Sequence, residues 1–180
     1  MIRKWKFIQR EVLLEHPRMM IVEDTVELSD GSEMTYLREA PTNDYSVAVM
    51  AFNESGELLI QREFSYPPDE VLYQLPGGHS KQDEDIMEVA NRELSEESGY
   101  AARNCRVIGS FYVNNRRSNR KQFVVVCEDL YQEKLAQDKE EFIESEWVSM
   151  VRLTQLVKDG LIVNMNMLAA LELYRAAKAI

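Results

Sequence analysis

The apolar positions read as strands over the first 75 residues and take up a helical period afterwards. Trp5 to Leu14 and Met19 to Leu28 are rich in β-branched and large apolar side chains and predict two strands. Asp30-Gly31 then gives a hairpin signal, with Met34 to Arg38 as the returning strand. Tyr45 to Phe52 and Leu58 to Phe64 predict two more, on either side of the turn tetrad Asn53-Glu54-Ser55-Gly56. Val71 to Leu75 predicts a short strand stopped by Pro76-Gly77-Gly78. Asp85 to Ser98 predicts a helix, with Asp85 as its cap, Glu88 as the capping-box partner and Gly99 as its stop. Val107 to Val113, Phe123 to Cys127 and Glu146 to Met150 predict strands, and Leu153 to Lys158 and Met165 to Ala179 predict helices. Strands and helices mix without a repeating βαβ rhythm. The fold class expected is therefore α/β (α+β), a mixed-sheet sandwich, not a doubly wound parallel sheet.

One helix breaks the usual rules. On a wheel of Asp85 to Ser98, Ile86, Met87, Val89, Ala90 and Leu94 share a side, while Glu84, Glu88, Asn91, Ser95 and Ser98 form a solvated face. Glu93 and Glu97 fall on the apolar side, with Glu96 at its edge. Glu93 and Glu97 are an i,i+4 like-charge pair, which costs about 0.2–0.5 kcal/mol. All three glutamates lie in the last turns, where the helix dipole disfavours negative charge. An acidic surface helix with a misplaced end would look similar. A divalent cation is the economical compensation for carboxylates that face a core, and oxygen-only ligands point to Mg²⁺ or Mn²⁺.

Length and composition narrow the setting. A chain of 180 residues predicts one domain, here spanning 1–180. The net charge of −10 argues against nucleic-acid and anionic-membrane partners. No apolar run is long enough for a membrane span, and the start MIRKWKFIQREV lacks the apolar stretch of a signal peptide. Cys105 and Cys127 are the only cysteines, which suggests buried thiols in a reducing compartment and a cytoplasmic location. His16 and His79 lie too far apart to form a zinc motif.

From Gly78 the chain reads GHSKQDEDIMEVANRELSEESGY. This resembles the signature of the Nudix hydrolases: Gly, five residues, Glu, seven residues, then Arg-Glu-aliphatic-x-Glu-Glu-x-Gly-aliphatic. The matching positions are Gly78, Glu84, Arg92, Glu93, Leu94, Glu96, Glu97 and Gly99, and Tyr100 is the one departure. Seven identities at about one in fifteen each give roughly one chance in 10⁸ per start position. The resemblance implies a Nudix-type α/β/α sandwich with the box at 78–100, and hydrolysis of a nucleoside diphosphate linked to another group. It implies that Glu93, Glu96 and Glu97 ligate metal, joined by the backbone carbonyl of Gly77, and that Arg92 and Glu84 orient them. Clustered metals would neutralise the pyrophosphate and activate water. Gly77 and Gly78 let backbone approach metal or phosphate closely.

The resemblance continues outside the box. EHPRMMIVEDTVELSDG, LLIQREFSY and YQLPGG look like the ADP-ribose pyrophosphatase and nucleoside diphosphate sugar hydrolase branch. That branch implies a homodimer, in which an N-terminal antiparallel strand region, here 1–42, is exchanged and contributes to the substrate site. It also implies a catalytic glutamate before the last strand, for which Glu140 and Glu141 are the candidates, with Glu144 behind them and Glu96 as the alternative. Arg116-Arg117-Ser118-Asn119-Arg120-Lys121 places four cations in six residues, either for phosphate and sugar contact or as a solvated loop. Arg62 is a further cation for substrate, and Trp5 and Tyr36 are candidates for stacking a nucleobase. Asn115-Arg116 replaces the proline of ADP-ribose enzymes, and Asn164-Met165-Asn166 replaces the Asp-x-Lys of sugar-nucleotide enzymes. Base and sugar therefore stay open. So do the other substrate classes of the family, nucleoside triphosphates, dinucleoside polyphosphates and capped RNA, and a non-catalytic nucleotide-binding role.

Overall fold

The runs Val47 to Phe52 and Phe123 to Cys127 have no polar alternation, as expected of strands covered on both faces. The computed structural model, which describes residues 3–42, 45–81, 83–133, 135–136 and 142–178, places both runs in one sheet. Among the described residues there are nine strands and three helices. In order they are β1 (Lys6–His16), β2 (Met19–Glu27), β3 (Glu33–Ala40), β4 (Tyr45–Ala51), β5 (Leu58–Ser65), β6 (Glu70–Gln74), α1 (Ile86–Ser98), β7 (Tyr100–Tyr112), β8 (Lys121–Gln132), β9 (Ile143–Val148), α2 (Met150–Lys158) and α3 (Met165–Lys178). They form three three-stranded sheets, ordered β1-β2-β3, β4-β8-β7 and β6-β5-β9. Two compact units result: Met1–Asp44 with Tyr112–Lys121, and Tyr45–Phe111 with Gln122–Ile180.

In the second unit, side chains alternate between two cores. Ala48, Met50, Val124, Val126, Leu58 and Ile60 pack with Leu153, Leu156, Met167 and Leu171 of α2 and α3. Val47, Val49, Ala51, Val125 and Leu59 pack with Val89, Ala90 and Leu94 of α1. Helices on both faces of buried strands make the α/β/α sandwich. The tetrad at 53–56 does turn the chain, with Gly56 at φ +74° and its N–H on the Asn53 carbonyl at 2.9 Å. It leads from one sheet to another, closed by the Phe52–Leu58 bridge and by the Asn53 N–H, which donates to the Glu57 carbonyl at 3.0 Å.

Two boundaries and one buried helix face stand out among the differences from the sequence expectation. Strand β7 starts at Tyr100, well before Val107. Helix α2 starts at Met150, because the Ser149 side chain accepts from the Arg152 N–H; Met150 is therefore helical and not the end of a strand. Ser95, placed on the solvated face, is 1% exposed, and its hydroxyl donates to the Tyr100 carbonyl at 3.2 Å. Asn91 on the same face accepts from the Ala102 N–H at 2.8 Å. That face of the helix meets the start of β7, which follows Gly99 without a loop.

Gln61 of β5 is fully buried, and neither atom of its amide has a hydrogen-bond partner among the described residues. A buried polar group without a partner carries its desolvation cost uncompensated. Gln61→Met, close in shape, is expected to raise stability by about 1–3 kcal/mol, read from the chemical denaturation midpoint at constant slope.

The first unit is an antiparallel sheet. Arg10 stands opposite Asp24 in the β1–β2 register, and Arg38 is its diagonal neighbour on β3. Arg10 Nε donates to Asp24 Oδ1 at 2.6 Å and Arg38 Nε donates to Oδ2 at 2.7 Å. Chiefly through the Arg10 hydrogen bond, these guanidinium groups hold the Asp24 carboxyl below its ordinary 3.8. A lowered carboxyl adds stability that is complete above its unfolded value and is lost as pH falls through its folded value. Asp24→Asn should therefore lose less stability than the parent between about pH 5 and pH 2, as followed by denaturant titrations across that range.

Candidate active site

The site is built on α1 and the glycines that precede it. Asp85 caps the helix, accepting from the Met87 N–H at 2.9 Å, and Glu88 returns to the Asp85 N–H at 3.1 Å. Gly99 ends it in the left-handed region at φ +77°. These caps fix the rotation of the helix, so the position of each glutamate follows from the sequence.

Arg92 organises the cluster. Its Nε and Nη2 donate to the two carboxylate oxygens of Glu84 at 2.7 and 3.1 Å. Its Nη1 donates to Glu93 Oε1 at 2.8 Å and to Glu96 Oε2 at 2.9 Å, while Nη2 also reaches the His79 carbonyl at 3.0 Å. The four side chains are largely enclosed, with 16% of Arg92, 14% of Glu84, 12% of Glu93 and 24% of Glu96 exposed. Glu84 is itself held: its Oε2 accepts from the Lys81 N–H at 2.9 Å, and the Tyr45 hydroxyl donates to its carbonyl. Arg92, above all by its hydrogen bonds, holds the Glu84 carboxyl below its ordinary value. Burial pushes the Glu93 carboxyl up, against the opposing pull of Arg92.

The glycines are required by contact. A Cβ on Gly78 would lie 2.4 Å from Glu93 Oε1, and one on Gly77 would lie 2.2 Å from the Val47 carbonyl oxygen. The Gly77 N–H donates to Glu97 Oε2 at 3.2 Å. Glu93 and Glu97, one helical turn apart, are thus both drawn to the Gly77–Gly78 corner.

The donor set fits a hard divalent cation in kind: oxygen ligands only, on a capped helix, beside backbone that has no side chain in the way. One guanidinium pairs with three carboxylates here, Glu84, Glu93 and Glu96, which leaves that group a formal charge of minus two for a cation to offset. Among the described residues no three acidic, His or Cys side chains already converge into a closed cage, since Arg92 lies between Glu93 and Glu96.

The other expected site residues are distributed as follows. Arg62, on β5, pairs with Glu144 at 3.6 Å and lies over the Tyr73 ring at 5.9 Å. Arg116, Arg117 and Arg120 lie in the first unit. There Arg120 Nη2 donates to Glu39 Oε1 at 2.6 Å, Arg117 Nη1 to the Leu37 carbonyl at 3.1 Å, and the Tyr36 hydroxyl to the Arg116 carbonyl at 2.7 Å. Much of the basic segment thus holds the β3 strand, while the Arg116 side chain is exposed. Trp5 and Tyr36 form an edge-to-face pair with centroids 6.1 Å apart. Trp147 packs against the α1 core and meets Tyr100 edge-on. Cys127 is buried and Cys105 is half-buried, and both are free thiols. Glu140 and Glu141 lie outside the described residues. Sequence reasoning missed Asn91 as the anchor between α1 and β7, and it noticed Asn164 and Asn166 only as departures from a motif.

A capped helix carrying clustered glutamates under one arginine, on an α/β/α sandwich, defines a phosphoanhydride hydrolase class. The chain belongs to the NUDIX family, whose domain matches residues 42–170, and it is a Nudix pyrophosphohydrolase. It is 28% identical over 155 residues to the ADP-ribose pyrophosphatase of Bacillus subtilis (strain 168), covering 85% of this chain and 83% of that protein. It is 28% identical over 143 residues to the ADP compounds hydrolase NudE of Escherichia coli (strain K12), covering 79% and 76%. A crystal structure of an ADP compounds hydrolase superposes with a TM-score of 0.88 at 24% identity, over 98% of this chain and 95% of that one, which establishes the shared fold. No helix among the described residues is long and apolar enough to cross a membrane.

Proposed function

We propose that the chain hydrolyses the pyrophosphate bond of ADP-ribose or a related nucleoside diphosphate sugar, in the presence of Mg²⁺ or Mn²⁺, to a nucleoside monophosphate and a sugar phosphate. The observation that carries this reading is the Arg92-centred carboxylate cluster at the Gly77–Gly78 corner, together with the ADP-ribose and ADP-compound relatives. Glu93, Glu96 and Glu97 would hold the metal, which supplies charge neutralisation on the pyrophosphate and a more acidic water. Arg92 and Glu84 fix the rotamers of Glu93 and Glu96, so that the carboxylates do not have to reorganise when substrate arrives. The Gly77 N–H orients Glu97. The base is assigned to Glu140 or Glu141, or to Glu96 of the box if neither serves. Arg62, and Arg116 in the first unit, are the cations offered to substrate.

The working form proposed is a homodimer in the cytoplasm. Strand β1 supports the dimer: it is an edge strand that leaves Phe7, Val12, Leu13 and Leu14 about half exposed. An edge of this kind is a template for pairing with a second copy. Trp5 and Tyr36, on the same sheet unit, are offered to the nucleobase in that assembly. Sedimentation should give twice the 20.9 kDa chain mass. A monomer would overturn the dimer.

The function is tested by a Mg²⁺-supported phosphate-release screen, with alkaline phosphatase added to reveal monophosphate products. Release from ADP-ribose or another diphosphate sugar, with nucleoside triphosphates silent in a phosphatase-free control, is the expected result. Activity confined to triphosphates or dinucleoside polyphosphates would overturn the substrate class.

A further inference from the structure

A cavity of about 800 Å³ lies past the end of β4 that points away from the box. The glycine corner joins β4 near its start, where Ser46 bridges His79 and the Val47 N–H donates to the Gly78 carbonyl at 2.9 Å. The cavity opens at Phe52, beyond the other end of the strand. Its floor is aromatic. Phe52 stacks on Tyr174 with ring centroids 4.9 Å apart, and Tyr100 meets Trp147 edge-on at 5.6 Å. Phe52 is buried and the other three rings are half-buried. Its rim is exposed and acidic, with Glu54, Glu128 and Asp129. Asp129 is paired with Arg103 Nη1 at 3.2 Å, whereas Glu54 and Glu128 have no ion-pair partner among the described residues. Lys178 is the one cation among the described residues that line the cavity, and its Nζ lies 5.5 Å from the centre of the Tyr174 ring.

Three features of this place favour positive charge. The rim carboxylates attract it, and the ring faces attract it through their quadrupoles. Two helices also end here: Tyr100 is the first residue past the cap of α1, whose last turn holds no basic residue, and Tyr174 and Lys178 lie in the last turns of α3. The C-terminal end of a helix dipole is negative. A nucleotide or other anion is repelled on all three counts. The volume falls within the range of about 300–1,000 Å³ usual for small-molecule sites. An aromatic floor under an acidic rim matches a chain in which methylenes alternate with ammonium groups. Lys178, an ammonium on an aliphatic stem, already makes one such contact within the chain. We propose that this cavity binds an aliphatic polyamine, with its methylenes on the aromatic floor and its ammonium groups on Glu54 and Glu128. The site shares no side chain with the Arg92 cluster, so binding there does not depend on the chemistry of the box.

The test titrates spermidine into the full chain, without nucleotide, and follows the heat by calorimetry. Saturable one-to-one binding is expected. In a Trp5→Phe background Trp147 is the only tryptophan, and its emission should change over the same concentration range. Glu54→Gln with Glu128→Gln is expected to weaken binding about fivefold or more. Glu33→Gln with Glu70→Gln changes the net charge equally at exposed positions outside the cavity, and should stay within about twofold of the parent. Lys178→Gln removes the competing ammonium and should tighten binding by about twofold. Hexaamminecobalt(III) carries the same charge as spermidine without its methylenes, and should bind at least about fivefold more weakly. Heat without saturation, or an unchanged Trp147 emission, would overturn the site. Equal losses in the two double variants would assign the binding to the general acidity of the chain and would overturn it as well. Hexaamminecobalt(III) binding as tightly as spermidine would remove the aromatic floor from the site and with it the polyamine assignment.

Discussion

Glu97→Gln is expected to lower turnover about a thousandfold, on the order of 4 kcal/mol of transition-state stabilisation, while the protein stays folded. Glutamine has the same shape, and its carbonyl oxygen can still accept from the Gly77 N–H, the contact that orients Glu97. The change therefore removes a charge without removing packing. It also relieves the Glu93–Glu97 like-charge pair, worth about 0.2–0.5 kcal/mol, so the thermal midpoint should hold or rise slightly. Initial rates in the phosphate-release assay, paired with thermal unfolding, separate these effects. A parent-like rate would remove Glu97 from the metal set. A lost rate with a collapsed midpoint would make Glu97 a structural residue.

Arg92→Ala carries the second large effect, and it acts on folding as well as rate. The guanidinium serves Glu84, Glu93, Glu96 and the His79 carbonyl together. Removing it leaves three enclosed carboxylates without their shared counter-charge. Breaking one side of a buried ion pair typically costs 3–5 kcal/mol, and the partial exposure here brings the expected loss to about 3 kcal/mol. Turnover should fall too, because Glu93 and Glu96 lose the group that sets their rotamers. Arg92→Lys tests the geometry separately from the charge. An ammonium cannot span the two oxygens of Glu84 and still reach the other acceptors, so it should recover only part of the stability and little of the rate. Full recovery by lysine would show that charge alone matters. Chemical denaturation and steady-state rates on both variants decide it.

What could be read from the sequence follows the range of the forces involved. The box helix was legible to the residue. Its start depends on Asp85 and Glu88 and its end on Gly99, all contacts within a few positions. The two-faced strands at 47–52 and 123–127 were legible because burial on both sides erases polar alternation. Strand β7 was legible only in part. Ala101 to Arg106 has little intrinsic strand preference, and pairing with β8 imposes the conformation. The burial of Ser95 followed from the same strand, which no wheel of α1 can include. The basic segment read equally well as a binding loop or a solvated one. Two of its arginines instead serve Glu39 and the Leu37 carbonyl, about 80 residues earlier in the chain.

The joint at Gly99 has a consequence for how this chain can vary. One left-handed residue separates the last helical turn from Tyr100, and the helix is tied across that joint by Asn91 to Ala102 and by Ser95 to Tyr100. There is no slack to absorb an extra residue. An insertion after Gly99 would pass every side chain of β7 to the opposite face and pull Asn91 off its anchor. The spacing from Arg92 to Tyr100 is thus locked by geometry as firmly as the glutamates are by chemistry. Length changes in descendants of this sequence would have to accumulate elsewhere.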